Sequence, residues 1–176
     1  LAVIAALRRL SKSESGFKSG SKSDPDSFRL KWPNDIFLHA KKVCGLLLEA
    51  QWNGPMMRSA IIGIGVNVKQ KEFPDELREI ATSLLNENIK VSVEEVRDAI
   101  LREFERELKD SPIEFVIERL RQAFGWMGTV PAFTWTAADA SEKTRLHYGT
   151  ILDSGALELQ TDDGEKIIVS NGSLRW

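Results

Sequence analysis

The chain has 176 residues, 42% hydrophobic and 28% charged, with a formal net charge of -2. That length and composition suit one main globular domain with at most one small appended module. The balance lacks the basic excess of nucleic-acid binders, no apolar run approaches the roughly 20 residues of a membrane span, and a lone cysteine, Cys44, forms neither an intrachain disulfide nor a cysteine-based zinc site, which favours a reducing, cytoplasmic setting.

Leu1 to Leu10 reads as helix, with Leu1, Ile4, Ala5 and Leu7 at helical spacing. The first residue is Leu and no basic n-region precedes it, so the chain is expected to begin inside a domain. Ser11 to Ser27, rich in Ser, Lys, Gly and Asp, reads as a polar loop. Short strands follow over Phe28–Trp32, Ile36–Leu38, Val43–Ala50 and Arg58–Val68, separated by turns such as Pro33-Asn34-Asp35. Four strands joined by tight turns predict an antiparallel meander, not βαβ units. The pattern then changes to helix. Glu76 to Asn86 carries Leu77, Ile80 and Leu84 on one face. Ser92-Val93-Glu94-Glu95 is a capping box that opens a helix with Val93, Val96, Ile100, Phe104 and Leu108 on one stripe. Ser111-Pro112-Ile113-Glu114 opens another, ending near Gly125. From Thr144, strands at 145–152, 156–161, 166–169 and 173–176 alternate with three glycine-bearing turns, the pattern of a small β-barrel or meander. A boundary is expected near residue 130.

Three motifs could carry chemistry. Lys31-Trp32-Pro33-Asn34-Asp35 sets an ammonium, a carboxamide and a carboxylate around a rigid turn. The lysine suits a phosphate, and the aspartate could orient a nucleophile or hold magnesium. A solvated turn with Trp32 in the core would explain the same residues. Lys41-Lys42-Val43-Cys44-Gly45 sets a lysine before a buried strand, with a glycine that admits a ligand close to the backbone; a basic turn with a bulge is the plainer alternative. Gly63-Ile64-Gly65-Val66-Asn67 opens like a dinucleotide fingerprint but lacks its third glycine, since position 68 is Val. Its glycines leave room for a flat ligand, or only for close strand packing. His39 and His147 have no metal-ligand partners at useful spacing and read as structural or surface residues. Cys44 reads as a small core residue.

The order of these motifs resembles the signature series of the biotin–protein ligase family: Lys31-Trp32-Pro33-Asn34-Asp35-Ile36, then Lys42-Val43-Cys44-Gly45-Leu46-Leu47-Leu48-Glu49, then Gly63-Ile64-Gly65-Val66-Asn67. Tyr148-Gly149-Thr150 through Gly172-Ser173-Leu174-Arg175 is similar to the family's SH3-like tail. The resemblance covers the C-terminal two-thirds of the catalytic region and nearly all of this chain. It implies an α+β fold: a mixed β-sheet backed by helices, related to class II aminoacyl-tRNA synthetases and lipoate ligases, over residues 1–128, then a small SH3-like β-barrel over 129–176.

The resemblance also implies a two-step reaction, in which biotin and ATP give biotinyl-5′-AMP and pyrophosphate, and a lysine of a biotin carboxyl carrier domain of acetyl-CoA carboxylase then takes the biotinyl group. It implies ATP, Mg²⁺ and biotin as the small molecules. Lys42 would contact the biotin carboxylate and the α-phosphate. Lys31 would bind phosphate, and Trp32, Asn34 and Asn67 would serve the nucleotide. Gly45, Gly63, Gly65 and Val66 would line the biotin pocket. Asp35 would hold the carrier lysine or orient Lys42; the metal ligands stay open. Two departures stand out. The family's upstream GRGRxGR loop is missing, and a long polar loop precedes Lys31. An incomplete biotin-binding or regulatory module and a lipoate–protein ligase are therefore the alternative readings. No DNA-binding domain is expected in this chain, and a sheet edge left unpaired would favour a homodimer.

Overall fold

A computed structural model describes residues 1–14, 27–110, 112–124, 133–136, 144–161, 163–170 and 173–175. The fold is mixed α+β. Helix α1 (Ala2–Glu14) precedes four strands, β1 (Phe28–Lys31), β2 (Asp35–Leu38), β3 (Lys41–Asn53) and β4 (Met56–Val66). Helices α2 (Val93–Asp110) and α3 (Ile113–Phe124) follow, then β5 (Phe133–Thr136), β6 (Thr144–Ile151), β7 (Leu157–Thr161), β8 (Lys166–Val169) and β9 (Ser173–Arg175). The first four strands form a sheet in the order β1-β2-β3-β4, the meander that the turn spacing predicts. Among the described residues, no helix is long and apolar enough to cross a membrane.

The chain divides into two compact units. One holds Ala2–Phe28 and Asn34–Phe104; the other holds Leu1, Arg29–Pro33 and Glu105–Trp176. In the first unit the buried set includes Leu7, Phe28, Ile36, Leu38, Val43 and Leu84, which is why α1 and the inner ends of β2 and β3 are apolar. The β3–β4 hairpin reaches beyond this core. Its distal residues Leu47, Leu48, Trp52, Met56, Met57 and Ile61 are all more than half exposed.

Helix α2 begins as the sequence requires. Ser92 N donates to Glu95 Oε2 at 2.8 Å and Glu95 N donates to Ser92 Oγ at 3.1 Å, a closed capping box. Val96, Ala99 and Ile100 are buried, whereas Val93 and Leu108, at the ends of the expected stripe, are exposed. The expected second capping box involves Ser111, which lies outside the described residues, as does Gly125. The polar loop expected at Ser11 to Ser27 yields its first four residues to α1; residues 15–26 are outside those described.

The helix expected over Glu76 to Asn86 does not form. Turns occupy 75–80 and 84–88, and an isolated parallel bridge pairs Ala81 with Lys42. Bonds from Leu77 N and Arg78 N to Pro74 O start a helical turn. The chain then extends, because Lys42 N donates to Ile80 O at 2.8 Å and Thr82 N donates to Lys42 O at 2.9 Å. Backbone pairing with the sheet overrides the local periodicity.

The second unit contains a five-stranded antiparallel sheet in the order β8-β7-β6-β5-β9. Strand β5, which the sequence pattern does not reveal, pairs with both β6 and β9. On α3, Arg121 Nε donates to Ile151 O at 2.9 Å and its Nη2 meets Asp153 Oδ1 at 2.7 Å, tying the helix to the end of β6. The β6–β7 register slips between Tyr148 and Thr150, leaving Gly149 as the extra residue. A Cβ on Gly149 would stand 2.7 Å from the Glu158 carbonyl oxygen. Gly149→Ala is therefore expected to destabilise the fold by about 1–3 kcal/mol. Gly63→Ala, whose Cβ would meet nothing closer than 3.6 Å, is expected to change stability far less. Urea unfolding midpoints of the two variants, at unchanged slope, check the contrast.

Candidate functional site

The site starts at the turn between β2 and β3. His39 and Ala40 have φ of 50° and 65°, so two left-handed residues join Leu38 to Lys41 in a tight hairpin. Histidine tolerates this region better than most residues, whereas alanine is strained there. Just beyond the turn the register breaks: Phe37 faces Lys42 and Ile36 faces Cys44. Val43 is the extra residue, a β-bulge. In a regular strand Lys42 and Cys44 would share a face. The bulge instead turns Lys42 to the face that carries Asp35 and Gly45.

On that face Lys42 Nζ lies 2.7 Å from Asp35 Oδ1. The pair is possible because position 45 has no side chain: a Cβ there would stand 3.3 Å from Lys42 Nζ and 3.5 Å from Asp35 Oδ1. Gly45 pairs with Gly65, and Leu47 with Gly63. By strand alternation Gly45, Gly63 and Gly65 share one face. A Cβ on Gly65 would meet nothing closer than the Gly45 carbonyl oxygen at 3.8 Å. The result is an ammonium and a carboxylate beside a patch of bare backbone. Such a surface can receive a flat ligand body while the cation meets its anionic group.

Three loops fix this arrangement. Asn34 O accepts from Leu46 N at 2.8 Å, and Asn34 Nδ2 donates to Leu46 O, so the Pro33-Asn34 turn is stitched to β3 next to Gly45. Asn67 N donates to the Val43 carbonyl at 2.9 Å, continuing the β3–β4 register one position beyond the Cys44–Val66 pair. Asn67 Nδ2 donates to Thr82 O at 3.0 Å. Both carboxamides singled out in the sequence thus also hold the scaffold.

Other expected residues are placed differently. Trp32 is joined to Pro33 by a cis peptide bond and is only 5% exposed. Its Nε1 donates to Gly155 O at 3.2 Å, which anchors it within the second unit. Lys31 is half-buried in β1 and belongs to that same unit. Val66 pairs with Cys44 and lies on the opposite face from the glycines, where it lines an apolar cleft of about 240 Å³ with Ile64, Val96 and Ile100. Sequence pattern alone does not single out Ile80 and Thr82, whose backbones hold Lys42. The buried Thr82-Ser83 pair amid apolar neighbours is the available signal. Among the described residues, no group of three or more His, Cys, Asp or Glu is placed to hold a metal ion.

No protein-family model matches the chain. It is 37% identical over 153 residues to the bifunctional ligase/repressor BirA of Bacillus subtilis, covering 80% of this chain and 44% of that protein. It is 49% identical over 39 residues to the biotin–[acetyl-CoA-carboxylase] ligase of Paracoccus denitrificans, covering 22% of this chain and 16% of that one. In fold it is similar to the biotin protein ligase of Aquifex aeolicus solved with biotin and ATP, with a TM-score of 0.65 at 23% identity, over 99% of this chain and 72% of that one. The chain thus spans less than half the length of the Bacillus relative.

Cys44 lies on the far side of the strand from Lys42 and is 1% exposed. Burial above all, then the Asp35 charge, pushes its thiol up from 9.0 to about 12, against a smaller lowering by Lys42. At pH 8 the folded chain is therefore almost wholly thiol. The expected outcome is that iodoacetamide labels Cys44 at pH 8 at least about 100-fold more slowly than in urea. The folded-state shift is upward, so its stabilising contribution is present below pH 9 and lost as pH rises toward 12. Equal labelling rates in the folded and unfolded chain would contradict this placement.

Proposed function

The chain belongs to the biotin–protein ligase family, and from that premise we propose that it carries the biotin and nucleotide site of an ATP-dependent, AMP-forming biotin ligase. One observation carries the reading: the Lys42 ammonium, fixed by Asp35 at 2.7 Å, stands beside the Gly45–Gly65 surface. In the first step an oxygen of the biotin carboxylate bonds to the α-phosphorus of ATP, and the bond to the bridging oxygen breaks, releasing pyrophosphate. In the second, the amine of a carrier lysine attacks the biotinyl carbonyl, loses a proton, and AMP leaves. Both steps load negative charge on oxygens, so a preorganised cation lowers the barrier.

Lys42 is assigned to the biotin carboxylate and the α-phosphate. Asp35 orients its ammonium, which the ion pair supports over a direct grip on the carrier lysine. Gly45, Gly63 and Gly65 give the biotin ring its floor, to which Val66 contributes backbone. Lys31 is assigned to phosphate, and Asn34 and Asn67 to the nucleotide, with Trp32 supporting the strand end. Magnesium would reach the site with the nucleotide phosphates, since that ion needs only one or two protein carboxylates and Asp35 is one. The partner proposed is the biotin carboxyl carrier domain of acetyl-CoA carboxylase, as the name of the Paracoccus relative suggests, in the cytoplasm. The C-terminal sheet fits the SH3-like tail proposed for 129–176. Strand β4 ends its sheet and bears exposed Met56 and Ile61, which supports self-association.

The alternative reading is a biotin-binding or regulatory module without turnover. The deciding assay is ATP- and Mg²⁺-dependent transfer of labelled biotin to a carrier domain. It is run on this chain and on a chimaera with a relative's GRGRxGR segment joined ahead of Leu1. Transfer by either supports the ligase; none by either, with circular dichroism showing a folded chain, leaves the module. In the active form Lys42→Ala is expected to slow adenylate formation about 10- to 100-fold, with the fold retained because that side chain is 43% exposed. Gly65→Ala is expected to keep the fold and weaken biotin binding at least about tenfold, read by calorimetry, because its methyl group would occupy the ligand's floor.

A further inference from the structure

Thr82 and Ser83 are 3% and 0% exposed, polar residues buried beside Leu84. Ser83 serves its own loop: its hydroxyl donates to Gln70 O and accepts from Asn86 N. Thr82 does something else. Its backbone N donates to Lys42 O at 2.9 Å, while its Oγ1 donates to Glu87 Oε1 at 2.6 Å. The second oxygen of that carboxylate, Glu87 Oε2, lies 2.9 Å from His39 Nδ1. His39 sits in the left-handed turn, three residues before Lys42. The connections close a ring: Lys42 backbone, Thr82, Glu87, His39, and back along the chain to Lys42.

We propose that Thr82 and Glu87, through His39, are positioning residues for Lys42, forming a latch that holds the strained hairpin turn and the bulge after it in the one geometry that presents the ammonium to the ligand. A buried hydroxyl needs a partner, and a carboxylate bonded through both oxygens has little freedom. The two-residue turn is strained at Ala40, so without an external hold it relaxes. Relaxation there is transmitted directly, because only Lys41 separates the turn from Lys42. A shift of about 1 Å in a group that meets developing charge slows a reaction by about 100-fold. The latch itself is a matter of this fold; its bearing on catalysis rests on the ligase reading above.

The test has two arms. In the first, backbone amide exchange is followed by NMR in the chain carrying Thr82→Val, Thr82→Ser or Glu87→Ala. The Lys42 and Thr82 amides donate the bonds in question. They are expected to exchange about tenfold faster in Thr82→Val and Glu87→Ala, with Leu7 in α1 unchanged, and to return to the parent rate in Thr82→Ser, which keeps the hydroxyl. In the second, steady-state adenylation in the active form is expected to lose about tenfold in kcat in Thr82→Val, with the KM for biotin within about twofold and recovery in Thr82→Ser. Unchanged exchange at Lys42, a rise spread evenly over all amides, or an unchanged kcat in a variant with loosened amides would each overturn the proposal. Absence of any biotin transfer in the parent would instead reject the ligase reading, and the exchange arm would still decide the latch.

Discussion

The backbone of Lys42 is bonded on both sides by one segment, its N–H to Ile80 and its carbonyl to Thr82. Much of the first unit's architecture around the ligand face follows from that parallel bridge. It draws residues 80–82 out of the helix their side chains would favour, and it brings Thr82 beneath Asn67. Asn67 in turn holds the carbonyl of Val43. Backbone groups left unpaired inside a protein are expensive, so each of these bonds satisfies main-chain groups at the end of β3 as well as shaping the loop. A site assembled this way depends on main-chain geometry first and on side-chain identity second.

The glycines follow the same logic. Gly45 leaves space for an ion pair, and Gly65 leaves bare backbone across from it. Glycine in a strand interior weakens the strand by roughly 0.5–1 kcal/mol relative to alanine. The chain places three of them on one face of the hairpin that carries Lys42. Such a local sacrifice is the mark of a surface shaped for something other than stability.

The sequence makes some of this legible and hides the rest for identifiable reasons. The meander of β1–β4 is readable because turn residues and short apolar runs report strands directly. The start of α2 is readable because Ser92 and Glu95 satisfy each other locally. The candidate site residues are readable as motifs, and Lys42, Asp35, Gly45, Gly63 and Gly65 do share a face. What is hidden depends on partners distant in sequence. Leu77, Ile80 and Leu84 have helical spacing, but pairing with Lys42, about forty positions away, decides their backbone. Val66 looks like a pocket residue beside Gly65, yet strand alternation sends it to the other face. Strand β5 has only its place between β6 and β9 in the second sheet to define it. His39 looks unremarkable until Glu87 is brought to it.

The bulge at Val43 has a meaning for how this site can change. The side on which the ammonium emerges is fixed by pairing: Lys42 faces Phe37 and Gly45 faces Asp35, whatever lies between them. If every residue were kept and the strand paired without the bulge, Lys42 would fall on the face of Cys44 and the ammonium would leave the glycine surface. Loss of Val43 itself would do the opposite: the ladder would become regular with Lys42 still opposite Phe37, and the ammonium would keep its face. The site is therefore sensitive to a slip of register and tolerant of a change in length by that one residue. Homologous chains can drift in composition across this strand, with or without the bulge, as long as the partners on β2 stay the same.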